Sequence, residues 1–166
     1  VNDAPVVSGR VNLGSIDEDN ELIISSDQLL SKASDVENDS LSINNLRIAR
    51  GQGDITDNEN GTYTFNPNQD WNGQVRLAYD IEDNNDGEVS VKAKLSVDPV
   101  NDSPILSGTA AKLGLGKEDQ SFTITSADLL QGFTDADGDQ LSVTNLEVTN
   151  GIGSLDLSQE GNWIFT

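Results

Sequence analysis

GQVRLAYDIEDNNDGEVSVKAKLSVD, residues 73 to 98, alternates apolar and polar side chains on both sides of an acidic, glycine-containing centre. Val75, Leu77, Tyr79 and Ile81 interleave with Arg76, Ala78, Asp80 and Glu82. Val89, Val91, Ala93, Leu95 and Val97 interleave with Glu88, Ser90, Lys92, Lys94 and Ser96. A period of two is the side-chain repeat of a strand, so the stretch predicts a half-buried antiparallel hairpin turning at NNDG. Upstream, Asn60-Gly61 is expected to close a second hairpin between GDIT and TYTF. ELIISS, LSINNLRIA and the PVVSG region supply the remaining strands. The one helical hint is SDQLLSKA, repeated as SADLLQGF, where Ser26 or Ser126 is expected to cap a single short turn. Short strands separated by turn signals every ten residues or so predict an all-β fold, a Greek-key β-sandwich of six or seven strands.

The chain repeats itself. Setting Glu18 on Glu118 and running without a gap to Asn66 on Thr166 gives sixteen identities in forty-nine positions, among them Asp35/Asp135, Leu41/Leu141, Gly51/Gly151, Gly61/Gly161 and Phe65/Phe165. VNDAPVVSG at 1–9 matches VNDSPILSG at 100–108. The repeat unit is therefore about one hundred residues, with 1–99 read as a complete copy and 100–166 as an incomplete one lacking counterparts of the last two strands. Such a second copy is expected to expose Leu141, Val143, Leu146, Trp163 and Phe165 and to leave sheet edges unpaired. The absent strands would come from later sequence, after an inserted ligand-binding domain, or from a second molecule; the plainer reading is that the fragment ends early.

Composition narrows the chemistry. The 166 residues carry 29 acidic and 9 basic side chains, a net charge of -20, which makes nucleic acid an unfavourable partner. There is no Cys and no His, so disulfides, thiol nucleophiles, imidazole bases and the usual zinc and haem ligands are excluded. No apolar run approaches the roughly 20 residues that span a bilayer, and the start lacks the layout of a signal peptide. Membrane insertion is not expected, and the chain reads as an internal piece of something larger.

Following strand direction from the first strand sorts the acids to the two ends of a copy. Asn2, Asp3, Asp35, Glu37 and Asp83 fall at the starting end, with Asp39 beside them; Glu18, between Asp17 and Asp19, falls at the far end with Asp70 and Asp98. In a tandem chain the far end of copy one meets the near end of copy two, so Glu18, Asp70, Asp98, Asn101, Asp102, Asp135 and Asp137 are expected to converge on one junction. Oxygen ligands in irregular number suit Ca²⁺ better than Mg²⁺, which demands a stricter octahedron. Acidic loops are usually solvated charge, but recurrence at the same loops of both copies argues for a site. The DADGD run at 135–139 is no helix-loop-helix calcium loop: it lacks the glycine at position six, and Leu146 stands where the glutamate at position twelve belongs. The ligands would be assembled between loops.

VDPVNDSP at 97–104 resembles the Asp-x-Asn-Asp-Asn linker of cadherin repeats, FTDADGD at 133–139 their Asp-Ala-Asp loop, and the Glu of SIDED or GKEDQ their first-loop glutamate. With DWNG at 70–73 and NGTYTFNP at 60–67, the whole chain is more similar to the cadherin-like tandem repeats of giant bacterial surface adhesins, including those secreted by type I systems (RTX adhesins). The resemblance implies tandem cadherin-like, Ig-like Greek-key sandwiches of about seven strands per complete repeat, an extracellular location on the bacterial cell surface, and Ca²⁺ stiffening each linker. It makes Glu18, Asp98, Asn101 through its carbonyl, Asp102, Asp135 and Asp137 ligands between the copies, while Asp35, Glu37 and Asp83, with Asn2 and Asp3, face a preceding repeat. Two departures stand out: the linker is one residue longer than the animal pattern, and DWNG, which contains Asp70, replaces the Leu-Asp-Arg-Glu loop.

The function expected from these readings is a calcium-rigidified stalk or extender in cell adhesion or biofilm formation. Its partners would be neighbouring repeats, with a cell-surface glycan or protein engaged through another domain. A rival is a carbohydrate- or protein-binding module, which would want exposed aromatics. Trp163 aligns with Tyr63 in a strand and reads as core, leaving Trp71 as the open case. An enzyme is not expected, because the paired carboxylates lie at domain ends rather than in a cleft, with no phosphate loop or nucleophile elbow beside them.

Overall fold

The computed structural model describes residues 1–158 and 161–166. The chain divides into two compact units, Val1–Val100 and Asn101–Thr166, each with its own sheets. Unit 1 runs β1 (Val6–Val7), β2 (Val11–Asp17), β3 (Leu22–Ser25), α1 (Ser26–Leu30), β4 (Ala33–Ser34), β5 (Ser42–Arg50), β6 (Gly53–Asp57), β7 (Thr62–Pro67), β8 (Gly73–Glu82) and β9 (Glu88–Asp98). One sheet has the order β2-β9-β8-β5 and the other β3-β7-β6, while β1 pairs with β4. β2 lies parallel to β9, and every other pair in the unit is antiparallel. Because the chain crosses between the sheets after β2, before and after β5, and after β7, the unit is a Greek-key sandwich, with seven main strands once the short β1 and β4 are counted with their neighbours.

The 73–98 stretch forms the hairpin its alternation predicts, paired from Gly73↔Val97 to Glu82↔Glu88. Val75, Leu77, Tyr79, Ile81, Ala93, Leu95 and Val97 point into the core with Ile24, Leu29 and Phe65 from the facing layer. The Tyr79 hydroxyl donates to the Leu29 carbonyl at 2.9 Å, so this large side chain is buried with its polar atom satisfied. A register shift in β5 between Asn44 and Arg47 accompanies Asn45 at φ 53°. Asn145, its counterpart, has the same φ of 53°. Gly53 and Gly153 explain another internal identity. Both have positive φ, 144° and 156°, and a Cβ on either would meet the ring of Phe65 or Phe165, so the aromatic ring covers a glycine in each copy.

Two turn details differ from expectation. The N-cap of α1 is Ser25, not Ser26, because Ser25 has extended backbone and forms a reciprocal capping box with Gln28. Ser26 instead donates its hydroxyl to the Gly61 carbonyl at 3.0 Å. In unit 2, Thr125 rather than Ser126 caps the corresponding turn, paired with Asp128. The Asn60-Gly61 hairpin is wider than a two-residue turn. Residues 58–61 all lie outside the strands, Glu59 takes φ 58° and Gly61 φ 80°, and the Asn60 side chain accepts from the Thr62 N–H.

Unit 2 contains β10 (Ile105–Leu106), β11 (Phe122–Ile124), α2 (Ser126–Leu129), β12 (Phe133–Thr134), β13 (Leu155–Leu157) and β14 (Trp163–Phe165). β11-β14-β13 form one sheet and β10 pairs with β12, matching β3-β7-β6 and β1-β4 of unit 1. Residues 141–149 carry the alternation of β5 yet form no strand. β5 is held by hydrogen bonding to β8, and among the described residues of unit 2 no strand offers that edge. Leu141, Val143 and Leu146 line an open groove with Leu129, Leu130 and Phe133.

Candidate metal centre

At the N-terminal end of unit 1, the Asp35 carboxylate organises its own loop. Its Oδ1 accepts the N–H of Glu37 at 2.8 Å and of Asp39 at 3.1 Å. Its other oxygen, Oδ2, is buried without a hydrogen-bond partner. The β8–β9 turn supplies Asp83, 1 % exposed, whose Oδ1 accepts from the Asn85 and Gly87 N–H groups at 2.8 and 2.9 Å. Asn2 reaches this turn from the start of the chain, donating to Asp83 Oδ2 at 2.9 Å and to the Asn85 carbonyl at 3.0 Å. The Asp3 N–H donates to Glu37 Oε2 at 3.4 Å. Asn2, Asp3, Asp35, Glu37 and Asp83 thus share one end, drawn together from three separate segments.

The same device recurs in unit 2. Asp135 Oδ1 accepts the N–H groups of Asp137 and Asp139 at 3.1 and 3.2 Å, and Asp137 Oδ2 accepts the N–H of Asp102 at 2.7 Å. Asn101 donates its side-chain NH₂ to the Asp102 carbonyl at 2.8 Å, which leaves its side-chain carbonyl available for other contacts.

The far end of unit 1 holds Glu18, only 3 % exposed. One carboxylate oxygen accepts the Val100 N–H at 2.7 Å and the other the Asn72 amide at 3.4 Å, while the Glu18 N–H donates to the Asp98 carbonyl at 2.9 Å. Asp98 accepts from the Ser96 hydroxyl at 3.0 Å. Asp70, at φ 53°, donates its N–H to Asp19 Oδ1 at 3.3 Å. Among the described residues, no three carboxylates of a single unit gather within 4.8 Å on their own. The donors are carboxylates and an amide carbonyl, which fit a hard divalent cation, and the orphaned buried Asp35 oxygen is the kind of atom such an ion satisfies.

Three acids that the sequence places without making them ligands have defined partners. Asp39 closes the near-end loop and its carboxylate accepts from Asn85 at 2.8 Å; Asp19 braces Asp70. Both are identical between copies, as Asp39/Asp139 and Asp19/Asp119, and that identity was the available signal. Asp80, a polar position of the strand alternation, is buried rather than solvated. It sits in mid-β8 at 6 % exposure, taking hydrogen bonds from Ser90 at 2.6 Å and Asn45 at 3.0 Å. Trp71, the aromatic left open, packs on the core with its ring over Gly51 and Gly73.

These hydrogen bonds set a pH window for unit 1. Burial presses the Asp83 carboxyl upward, but the bonds from Asn2, Asn85 and Gly87 outweigh it and hold it below the usual range. Ser90 first, then Asn45, hold Asp80 low against burial, with Arg47 adding attraction. Burial pushes the Tyr79 phenol up to about 12. Lowered carboxyl groups stabilise the fold above their unfolded values near 4 and lose that contribution as pH falls through the folded values. The raised phenol stabilises fully below its unfolded value near 10 and loses its contribution as pH rises through about 12. Denaturant midpoints of unit 1 in chelator are therefore expected to hold between about pH 5 and 9 and to fall on both sides. Asp80→Asn should flatten the acid limb and Tyr79→Phe the alkaline one; unchanged limbs would contradict the assignment.

The family model of the cadherin-like domain matches the chain twice, over residues 1–98 and 100–166. No curated protein matches it. Among solved structures, an endo-fucoidan hydrolase from glycoside hydrolase family 107 is similar at 18 % identity and TM-score 0.45, over 98 % of this chain and 24 % of that one. A second of that family has 17 % identity and TM-score 0.40, over 99 % and 29 %. A nucleoside hydrolase-related hypothetical protein from Saccharophagus degradans, associated with carbohydrate metabolism, has 14 % identity and TM-score 0.41, over 60 % and 26 %. The chain spans about a quarter of the length of these solved chains. Among the described residues, no helix is long and apolar enough to cross a membrane.

Proposed function

Because this chain belongs to the cadherin-like domain family, matched over both units, we propose that it is a calcium-rigidified extracellular repeat module of a bacterial surface adhesin. It serves as an extender in cell adhesion or biofilm formation. The observation that carries the reading is the buried Asp35 oxygen left without a hydrogen-bond partner, an arrangement costly without a cation.

In this reading Asp3, Asp35, Glu37 and Asp83, with Asn2, hold Ca²⁺ toward a preceding repeat. Glu18, Asp70 and Asp98 from unit 1 and Asn101, Asp102, Asp135 and Asp137 from unit 2 hold it between the copies. The ion supplies positive charge and a demand for six to eight oxygens. The protein's contribution is to aim those oxygens. Asp35 and Asp135 each spend one oxygen bracing their loop and keep the other, and Glu18 is anchored by the Val100 N–H of the linker itself. Without the ion the carboxylates repel and the linker flexes; with it, adjacent sandwiches are held end to end. The partners are neighbouring repeats, with a cell-surface glycan or protein engaged through another domain, and the module performs no catalysis of its own.

Small-angle scattering of the chain with EGTA and with millimolar CaCl₂, joined to calcium titration calorimetry, tests this. The calcium form should be longer and narrower in its distance distribution, with dissociation constants of about 10⁻³ to 10⁻⁴ M. Identical scattering in both buffers and no titration heat would overturn it.

A further inference from the structure

The molecule carries nine basic residues in a net charge of -20, yet five of them, Arg47, Arg50, Arg76, Lys92 and Lys94, lie on one face of one sheet. Strand register puts them there. Arg50 stands opposite Arg76 and Arg76 opposite Lys94, so three cations form a row across β5, β8 and β9. In the next row Arg47 and Lys92 flank the small Ala78. All five are exposed, and with strands about 4.8 Å apart the row of three spans roughly 10 Å.

Like charges directly opposite one another destabilise a sheet, so the fold itself gains nothing from this arrangement. Nor does the repeat require it: the counterparts of Arg47 and Arg50 in unit 2 are Glu147 and Asn150. The flanking rows offset the patch only in part. Gln74 with Ser96 borders one side, and on the other the buried Asp80, hydrogen-bonded by Ser90 and Asn45, offsets one charge through Arg47, leaving a row of three cations without an acid beside it. Glu88 and Asp98, at the two ends of β9, are four residues from Lys92 and Lys94, about 13 Å along the strand and beyond the Debye length of about 8 Å at physiological salt.

We propose that this face of unit 1 binds an anionic polysaccharide, an extended chain bearing sulfate or carboxylate groups. Charge complementarity selects an anion, and a flat ladder of cations on a rigid sheet suits a linear polymer with repeating charges. Nucleic acid is disfavoured because the face offers no aromatic for base stacking: Phe65, Tyr63 and Tyr79 are in the core and Trp71 covers Gly51 and Gly73. A bilayer is disfavoured because the only apolar side chain between the cations is the buried Ala78. A second copy is disfavoured because both bodies carry -20.

The test uses the whole chain in EDTA at about 0.1 M NaCl, so that calcium bridging, on which the proposed stalk function rests, plays no part. Immobilised dextran sulfate and polygalacturonate are the probes, with neutral dextran as control. The chain should bind at least one charged polymer and not the neutral one. Arg50→Gln, Arg76→Gln and Lys94→Gln combined should weaken binding about tenfold or more and reduce the slope of log affinity against log salt by about 2. Arg76→Gln alone, at the centre of the row, should weaken it about threefold. Lys112→Gln with Lys117→Gln should leave binding unchanged. Since the replaced side chains are exposed and mutually repelling, melting should stay level or rise. Retention of neither charged polymer, equal retention of the triple variant, or equally tight binding of duplex DNA or of 4:1 phosphatidylcholine/phosphatidylserine vesicles overturns the proposal.

Discussion

Asp35→Asn is expected to make the protein more stable in chelator and less stable in calcium. The isosteric amide keeps the Oδ1 acceptor that braces the Glu37 and Asp39 N–H groups. It replaces the buried, unpartnered anionic oxygen with a neutral donor facing an acid-rich end. Relief of that unsatisfied atom should raise stability in EGTA by about 1–3 kcal/mol. The same change removes a charged ligand, so calcium affinity should fall about tenfold or more. Thermal melting of wild type and variant in EGTA and in millimolar CaCl₂ gives the four values needed. A variant destabilised equally in both buffers would mean that Asp35 is only a loop brace. The inversion of sign separates a ligand from a structural carboxylate, which a simple loss of stability cannot do.

Phe65→Ala should cost about 3–5 kcal/mol, because Phe65 is fully buried at the centre of the sandwich, flanked in register by Leu22 and Ile55. Phe165→Ala, the aligned change in unit 2, should cost only about 1–2 kcal/mol, since that ring is half-buried against β11 and β13 and, among the described residues, has no second sheet of four strands over it. Each unit contains one tryptophan, Trp71 and Trp163, so denaturation followed in Trp71→Phe and Trp163→Phe backgrounds reports the two units separately. Equal losses at the two sites would contradict the burial difference between the copies.

The strands were legible where neighbours in sequence are neighbours in space. The 73–98 hairpin needs only its own alternation, and the internal identities mark the residues that both copies use in the same way. Gly53/Gly153 and Phe65/Phe165 prove to be a glycine and the ring that covers it. The sorting of acids to the ends followed from counting strand reversals. Within unit 1 it agrees with the hydrogen bonds that tie Asn2 to Asp83 at one end and Glu18 to Val100 at the other. Other features depend on atoms brought together from distant segments. The N-cap fell one residue before the expected serine because the choice rests on which hydroxyl meets the N3 backbone. Asp80 reads as an outward strand position until the β5 shift at Asn45 and Ser90 of β9 close over it.

Alternation and repetition alone thus determined the kind of fold, the repeat length and the acidic ends, because each is a local pattern carried along one strand or copied from one unit to the next. Which carboxylate oxygen is left buried without a partner, and which five cations share a face, were decided only by tertiary pairing. Residues 47, 50, 76, 92 and 94 lie on three strands whose relative register includes a shift inside β5, and no single segment contains the information that sets it.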